Sequence, residues 1–342
     1  MKLTIKDIAK KSGHSCSTVS RVLNDSPFVS EKTRARVKKV IEDMDFRPNH
    51  VARGLVKGQM NIVVCIIGDR WNPFYAELFS AAEEVLNREG FLAVLCYTNY
   101  EPVKEEKYLE AALENNFAGV IMVTAPETQQ LAENLAKLDC PVVLANRYLA
   151  SVPTDVVLMD NYHGGYIATR HLIDLGHRRI AHWAGPDNST ASRDRVRGYR
   201  EAMREAGLEV REGDILKGNL LESEGYQFAC ELLNNPRDVT AVFCGNDMMA
   251  SGVVRAYSEH GKRIPQDMSV IGFDDSPVAV SGPVKLTTVR QHPEAMGQTA
   301  ADLVLNRMTN KDQPHRKVVF SPELVVRDSA APCRSCQPPA AE

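Results

Sequence analysis

From about residue 60 onward, apolar runs of strand length alternate with amphipathic stretches of helical length. The runs are almost continuously apolar, which is typical of parallel strands buried on both faces of a sheet. Eight or more such units are too many to pack around a single hydrophobic core, so the pattern predicts two doubly wound parallel-sheet subdomains. The predicted strands are 62–67, 91–97, 120–123, 142–145, 156–159, 180–184, 241–244 and 269–273. The predicted helices begin near Pro73, Val103, Thr128, His163, Ser192, Glu222, Asp247 and Pro293.

The first 46 residues follow a different pattern, which predicts three short helices. Thr4 can cap the first helix, with Asp7 in capping-box position, and Gly13 tolerates the positive φ of a sharp turn. The second helix begins after Ser15, and the third runs from about 30 to 44. The outward face of the second helix offers short polar groups and one cation to a DNA major groove, in a helix-turn-helix arrangement. Its outward positions are Cys16, Ser17, Ser20 and Arg21.

Charge separates the chain into the same two parts. Residues 1–58 carry 13 lysines and arginines against 6 aspartates and glutamates, which is a net charge of +7. The whole chain has a net charge of −3, so residues 59–342 carry −10. A basic N-terminal part suits a polyphosphate partner, and an acidic remainder disfavours wrapping of nucleic acid around the whole molecule.

A short basic segment, 47–58, follows the three helices. Pro48 stops the preceding helix, and Asn49 can cap a short helix from His50 to Leu55. So short a helix is marginal in water, so it would need DNA or a partner to hold it. The alternative interpretation is a plain basic linker.

Residues 4–24, 29–34 and 47–55 closely resemble the lactose repressor/galactose repressor family of bacterial regulators, and the resemblance extends to about Ser329. It implies an all-α helix-turn-helix head and an α/β core of two subdomains, like that of periplasmic sugar-binding proteins. The expected divisions are a head at 1–46, a hinge at 47–58, a core at 61–329 and a disordered tail at 330–342. Within the core, we expect the N subdomain at about 61–160 and 290–320, and the C subdomain at about 161–289 and 321–329.

The resemblance also implies the residues that contact DNA. It places Cys16, Ser17 and Arg21 at base edges. It implies a hinge that becomes helical on DNA, where Leu55 opens a base step from the minor groove. A homodimer would read a pseudo-palindromic double-stranded operator. The remaining implied DNA contacts are Thr4, Thr18, Ser20, Asn24, Asn49, His50 and Ala52.

Polar residues after the predicted strands suggest a ligand cleft between the subdomains, because ligands of such sheets bind outside the carboxyl ends of the strands. Amides, carboxylates, an arginine and an aromatic ring can bind a sugar. For any one residue, helix capping is the competing interpretation. The loop 218–221 lacks an aromatic residue that several family members have, so the identity of the ligand stays open. The predicted effector contacts are Asn72, Phe74, Asn146, Arg147, Asp160, Arg193, Asn246 and Asp275; the resemblance supports Asp160, Arg193, Asn246 and Asp275 in particular.

Enzymatic motifs do not emerge from the sequence. It contains no His-Glu-x-x-His, no phosphate-binding P-loop and no Gly-x-Ser-x-Gly. Cys65, Cys96 and Cys244 lie in apolar strands and are expected to be buried, whereas Cys333 and Cys336 are expected in an exposed tail. We therefore expect no enzyme activity, no cofactor and no metal. No signal peptide or membrane-length apolar run occurs, so we expect a cytoplasmic protein associated with the bacterial nucleoid.

Two functional hypotheses from different classes remain. The first is a DNA-binding repressor, most simply of a carbohydrate-utilisation operon, whose operator affinity a small sugar controls; a purine or nucleoside is the alternative effector. The second is a sugar-binding or sugar-modifying protein that merely retains a helical head. The basic head and the absence of an export signal favour the first.

Overall fold

The structure is a computed structural model that describes residues 3–23, 26–46 and 59–333. The chain divides into two compact units, Met1–Asn61 and Ile62–Glu342.

The first unit contains three helices around a small apolar core. These are α1 (Ile5–Ser12), α2 (Cys16–Leu23) and α3 (Glu31–Asp43). The Thr4 backbone N–H and hydroxyl both donate to Asp7 Oδ2, and Gly13 takes the left-handed conformation, with φ of 71°, between α1 and α2. The predicted helices and turn are therefore confirmed. The buried core consists of Ile8, Ala9, Val19, Val22, Val37 and Phe46.

The second unit contains two six-stranded sheets. The N subdomain is the first sheet, in the order β11-β5-β4-β3-β1-β2, with its helices. Its strands are β1 (Met60–Ile67), β2 (Leu92–Tyr97), β3 (Phe117–Met122), β4 (Val142–Ala145), β5 (Asp155–Met159) and β11 (Lys317–Phe320). Its helices are α4 (Pro73–Arg88), α5 (Pro102–Glu114), α6 (Gln129–Ala136) and α12 (Pro293–Thr309). α4 and α12 bury one face of the sheet, and α5 and α6 bury the other.

The C subdomain is the second sheet, in the order β12-β10-β9-β8-β6-β7, with its helices. Its strands are β6 (Ile180–Ala184), β7 (Ile215–Lys217), β8 (Ala241–Cys244), β9 (Ser269–Asp274), β10 (Thr287–Arg290) and β12 (Glu323–Val325). Its helices are α7 (Asn161–Asp174), α8 (Thr190–Glu205), α9 (Glu222–Asn234), α10 (Asp247–Glu259) and the short α11 (Val278–Ser281). α7 and α8 bury one face, and α9 and α10 bury the other; β12 alone runs antiparallel to its neighbour.

The chain crosses between the two subdomains three times, between β5 and α7, between β10 and α12, and between β11 and β12. Each crossing leaves the carboxyl end of a strand, so those ends of both sheets face the junction.

Within the described part of the chain, no helix has the length and apolar character needed to cross a membrane.

All eight predicted strands are present, but the pattern missed β7, β10, β11 and β12. These strands have only three or four residues, and β7, β11 and β12 are partly exposed at or near sheet edges. β10 is buried but begins with two threonines, which mask its apolar character.

The chain from 330 to 333, which we predicted to be part of a disordered tail, instead lies against the C subdomain. The ring of His177 contacts the Ala331 carbonyl oxygen at 3.0 Å, and the Cys333 N–H donates to the Leu175 carbonyl oxygen at 2.8 Å. Cys333 is buried rather than exposed. These contacts depend on groups brought from distant parts of the chain, so composition alone could not reveal them. Cys336 lies outside the described residues.

Candidate functional site

A small polar cavity lies between the N and C subdomains, at the carboxyl ends of their strands. Its volume is about 20 Å³, which is room for about one water molecule. The two subdomains are therefore closed around it. The lining residues are Asn72, Phe74, Tyr75, Asn146, Arg147, Ser189, Ala191, Ser192, Arg195, Leu220, Asn246, Asp274 and Gln291.

Arg195 is one of two buried cations that line the cavity, and the other is Arg147. It lies in the first half of α8, where its Nε donates to Asn161 Oδ1 at 2.8 Å and its Nη1 donates to the Gly245 carbonyl oxygen. The guanidinium carbon lies 3.6 Å from the centre of the Phe273 ring. Burial lowers the pKa of Arg195 to about 10, which still leaves the group charged at neutral pH.

Two glycines determine where Arg195 lies. A Cβ at Gly165 of α7 would overlap the Arg195 carbonyl group, and a Cβ at Gly198 of α8 would overlap the Tyr162 carbonyl oxygen. The two helices therefore cross in direct backbone contact, which only glycine permits at both positions. This contact holds the Arg195 backbone against α7 and directs its side chain towards the junction of the subdomains.

Asp274 is the buried anion of the cavity, and it connects the two subdomains. Its Oδ2 accepts from Asn72 Nδ2 of the N subdomain at 3.1 Å, and its Oδ1 accepts from Gln291 Nε2 at 2.6 Å. Burial raises the pKa of Asp274, and the Arg195 charge opposes that rise. Asp274 therefore helps to hold the subdomains closed, together with the Arg193–Glu127 ion pair and the Tyr148 N–H, which donates to Thr190 Oγ1 at 3.1 Å.

A second buried carboxylate, Asp247, supports the loop behind Asp274. It accepts from the Ser276 N–H at 2.8 Å, from the Ser276 hydroxyl at 3.1 Å and from the Thr288 hydroxyl. Burial and the nearby Asp274 raise the pKa of Asp247 to about 8. Asp247 therefore positions the end of β9 from behind rather than lining the cavity.

Three of the non-glycine residues with positive φ line the cavity. Asn146, Leu220 and Asp274 have φ values of 63°, 65° and 117°, in the left-handed region that side chains disfavour. Conformations of this kind cost about 1–3 kcal/mol each and cluster at ligand sites. Three of the lining positions therefore have a conformation that local sequence does not favour and the tertiary structure maintains.

Three buried polar atoms of the lining residues have no hydrogen-bond partner among the described residues. They are Asn146 Oδ1, Arg147 Nε and Gln291 Oε1. Arg147 uses another nitrogen, Nη1, to donate to the Thr124 carbonyl oxygen at 3.1 Å. Leaving a buried polar atom unpaired costs about 1–3 kcal/mol, so the arrangement favours a ligand that can both donate and accept hydrogen bonds.

Five of the eight predicted effector contacts line the cavity, namely Asn72, Phe74, Asn146, Arg147 and Asn246. The helix-capping interpretation also holds for two of them. Asn72 Oδ1 accepts from the Phe74 N–H at 3.0 Å, and Asn246 Oδ1 accepts from the Met249 N–H at 2.9 Å. Each asparagine therefore caps a helix with its oxygen and directs its amide nitrogen elsewhere, Asn72 to Asp274 and Asn246 to the Leu220 carbonyl oxygen.

The other three predicted contacts lie outside the lining of this cavity. Asp160 caps α7 by accepting from the His163 N–H at 2.9 Å. Arg193 forms an ion pair with Glu127 of the N subdomain. Asp275 accepts from Arg290 Nε at 2.8 Å and from Arg327 Nη2.

We predicted Arg193 and Asp275 as contacts, but Arg195 and Asp274 line the cavity. The predicted positions are two residues and one residue away from the observed ones, respectively. A signal for Arg195 was available, because Arg195 lies three residues before Gly198 and so on the same, closely packed face of the helix. Asp274 is the last residue of β9 and so continues a buried strand, whereas Asp275 follows the strand. The other lining residues that the sequence did not predict are Tyr75, Ser189, Ala191, Ser192, Leu220 and Gln291.

The predicted DNA-contacting side chains of the first unit lie on its surface. Thr4, Cys16, Ser17 and Arg21 are exposed, and Thr18 and Ser20 are half-buried. Ser15 caps α2 by accepting from the Thr18 N–H at 3.2 Å, and its hydroxyl lies 2.8 Å from that of Ser17. The predicted contacts Asn24, Asn49, His50, Ala52 and Leu55 lie outside the described residues.

Comparison with known proteins identifies both parts of the chain. Residues 4–49 match the family described as bacterial regulatory proteins, lacI family, and residues 169–330 match a periplasmic binding protein-like domain. The chain is 35% identical over 335 residues to the HTH-type transcriptional regulator DegA of Bacillus subtilis (strain 168), which covers 97% of this chain and 99% of DegA. It is 34% identical over 329 residues to the HTH-type transcriptional repressor PurR of Haemophilus influenzae (strain PittEE), which covers 95% of this chain and 98% of PurR.

Solved structures show the same similarity. A complex of the transcriptional regulator CelR with cellobiose has a TM-score of 0.73 and 32% identity, over 96% of this chain and all of that chain. The lac repressor dimer bound to operator and the anti-inducer ONPF has a TM-score of 0.86 and 25% identity, over 97% of this chain and all of that chain.

Proposed function

The chain belongs to the LacI family of bacterial transcriptional regulators, and we propose that a small sugar or sugar derivative in the cavity between its subdomains controls its affinity for operator DNA. The similarity to these regulators confirms the predicted fold class, the DNA-binding regulatory function and the expectation that the chain is not an enzyme. The ligand and the residues that bind it are what we propose.

The buried polar atoms of the cavity are the observation that carries this proposal. Arg147 Nε can donate a hydrogen bond, and Asn146 Oδ1 and Gln291 Oε1 can accept one. A sugar hydroxyl does both, so one polyhydroxylated ring can satisfy all three atoms. Arg195 adds a charged donor, which makes stronger hydrogen bonds than a neutral group, and Asp274 adds two further acceptor oxygens. The Phe74 ring offers an apolar face against which a sugar ring can pack.

We expect ligand entry to separate the subdomains, because the closed cavity is smaller than a sugar. The hydrogen bond between Asn72 and Asp274 must break or lengthen when this happens. A ligand that prefers one spacing of the subdomains shifts the population towards it, by no more than its difference in affinity for the two states. This change would be passed to DNA through residues 47–58, which follow the three-helix head in the chain.

The proposed ligand contacts form an inner and an outer set. The inner set is Asn72, Phe74, Asn146, Arg147, Asn246, Arg195 and Asp274, which line the cavity. The outer set is Asp160, Arg193 and Asp275, which we propose act around the cavity through the helix cap and ion pairs described above.

The relatives support two classes of ligand. The structure of CelR contains cellobiose, which favours a sugar. A relative named PurR at 34% identity keeps a purine or nucleoside as the second candidate. A flat purine ring would use Phe74 but present fewer hydroxyls to the unpaired polar atoms, so the sugar is our first choice.

A thermal-shift screen of the full chain against sugars and nucleobases tests the ligand. A ligand at one hundred times its dissociation constant adds about 2.7 kcal/mol to the free energy of unfolding. We expect a shift with a sugar, its loss in Asp274→Asn and its retention in the matched variant Asp275→Asn. A shift with purines alone would replace the sugar by the second candidate, and equal losses in both variants would contradict the inner set.

A gel-shift assay against fragments of the source genome tests control of DNA binding. The sugar found in the screen should change the affinity for a bound fragment in the parent chain but not in Asp274→Asn. Arg21→Ala should weaken binding by about 1–3 kcal/mol and relax one operator position, if Arg21 contacts a guanine. A chain that binds the sugar without any DNA-affinity change would support the hypothesis of a non-regulatory sugar-binding protein.

A further inference from the structure

A groove with an unusual charge runs along the face of α8 that points away from the central cavity. Its volume is about 680 Å³, compared with about 20 Å³ for the cavity between the subdomains. We call it the cationic groove. Its polar walls include Arg193, Arg197, Arg200, Arg211, Lys217 and Tyr148.

One wall of the cationic groove is a stripe of arginines. Arg193, Arg197 and Arg200 follow one another at spacings of four and three residues on α8, so they share one helical face. Like charges at this spacing destabilise a helix by a few tenths of a kcal/mol for each pair. This stripe therefore lowers the stability of α8 and contributes nothing to a core.

The opposite wall adds two more cations. Lys217 ends β7, and Arg211 lies in the loop that precedes that strand. The five cations share the groove with three acids, Asp187, Asp194 and Glu212. The lining residues therefore carry a formal charge of +2, before the acids that pair with them from outside the lining are counted, within a part of the chain, 59–342, whose net charge is −10.

Two of the groove cations pair with acids outside the groove lining, Arg193 with Glu127 and Arg211 with Asp238 at 3.1 Å. Within the described ranges, the Arg200 side chain forms no hydrogen bond or ion pair. Lys217 pairs with Asp187 at 2.6 Å and Arg197 pairs with Asp194 at 2.8 Å, but Lys217, Asp187 and Arg197 are each more than half exposed. Exposed pairs of this kind contribute about 0–1 kcal/mol, so a more highly charged ligand can displace them.

We propose that the cationic groove is a second ligand site, which binds a small phosphorylated metabolite. Arginine presents several N–H donors in a planar fork that matches phosphate oxygens, and three such forks lie on one wall. A volume of about 680 Å³ lies within the range of small-ligand sites, which favours a metabolite over a protein segment. Tyr148 at the rim can pack against the carbon part of the ligand. This site goes beyond the proposed sugar cavity, from which Ser192, common to both linings, separates it; Arg193 of the outer set belongs to the groove wall.

Calorimetric titration of the full chain at low ionic strength tests the site. The probes are inorganic pyrophosphate and glycerol 3-phosphate, with glycerol as the uncharged control. Arg200→Gln and Lys217→Gln should each weaken pyrophosphate binding about tenfold, since each removes a charge-assisted hydrogen bond. The matched control is Arg170→Gln, which removes an equal charge from the exposed surface of α7 and should change the affinity less than twofold. Melting temperatures that equal the parent's would show that the variants fold.

Three results would overturn the proposal. The first is no pyrophosphate binding at millimolar concentration, and the second is equal affinity in the parent and in both groove variants. The third is a loss of binding in Arg21→Gln alone, which would place the anion on the DNA-contacting helix α2. Retention of pyrophosphate binding in Asp274→Asn is expected, and its loss there would assign the anion to the sugar cavity instead.

Discussion

The two faces of α8 carry arginines in opposite situations. Arg195 on the inner face is buried, and it donates to Asn161 and Gly245 beside the Phe273 ring. Arg197 and Arg200 on the outer face are exposed and line a groove. The same side chain is therefore a fixed part of a closed cavity on one face and an exchangeable surface charge on the other. Burial, rather than residue type, determines the difference.

Arg195→Met should have the largest effect, because it removes the buried cation beside Asp274. The change leaves the Asn161 and Gly245 oxygens without this donor and removes a charge that opposes the rise in the pKa of Asp274. The free energy of unfolding should therefore fall by about 1–3 kcal/mol for each unpaired group, and sugar binding should be lost. Arg193→Met, two residues away, removes a partly exposed cation and its ion pair with Glu127, and should change stability by less than about 1 kcal/mol. Urea denaturation and calorimetric titration measure both quantities, and similar losses in the two variants would remove the distinction between the faces.

Gly198→Ala should have the next largest effect, because the added methyl group meets the Tyr162 carbonyl oxygen of α7. We expect a loss of about 1–3 kcal/mol in the free energy of unfolding, as for other overpacked contacts. Arg200→Ala on the outer face should be nearly neutral and serves as the control. If Gly198→Ala is as stable as the parent, the close crossing of α7 and α8 does not position Arg195.

The pH dependence of stability should depend on Asp247. Its pKa is raised from 3.8 to about 8 by burial and by Asp274, so the folded state binds this proton more tightly than the unfolded state. The free energy of unfolding should therefore fall as pH rises from about 4 to about 8, by at most about 1.4 kcal/mol per pH unit for one proton. Asp247→Asn should flatten this slope in urea denaturation measured at pH 5, 6 and 7. An unchanged slope would mean that another group causes the pH dependence of stability. The control is Asp238→Asn, which changes an exposed carboxylate.

Glu127→Gln should have the smallest effect. It breaks the ion pair with Arg193, which joins the subdomains at the rim and is partly exposed. We expect stability to change by about 0.2–1 kcal/mol and sugar to dissociate up to a few times faster. Stopped-flow measurement of ligand release checks this, with Glu133→Gln on α6 as the control. A much larger change would mean that the rim contributes as strongly as the buried residues.

The predicted site residues show which lining residues of the cavity follow from the strand pattern of the sequence and which do not. Asn72, Asn146 and Asn246 each follow an apolar strand, and all three line the cavity. This succeeds because the carboxyl ends of parallel strands meet at one edge of a sheet. Arg193 and Asp275 follow strands too, yet both lie outside the lining, because the direction of a side chain depends on helix packing and on the φ angles near a strand end.

The sequence by itself determined the alternation of strands and helices, the three-helix head and the family, because these depend on periodic burial and on short motifs at fixed spacing. Only the tertiary structure decided that Arg195 and Asp274, rather than Arg193 and Asp275, line the cavity. It also decided that 330–333 bind the C subdomain and that three arginines of α8 meet Lys217 across a groove. These features join residues far apart in the chain, and long-range contacts of this kind leave no periodic signal in the sequence.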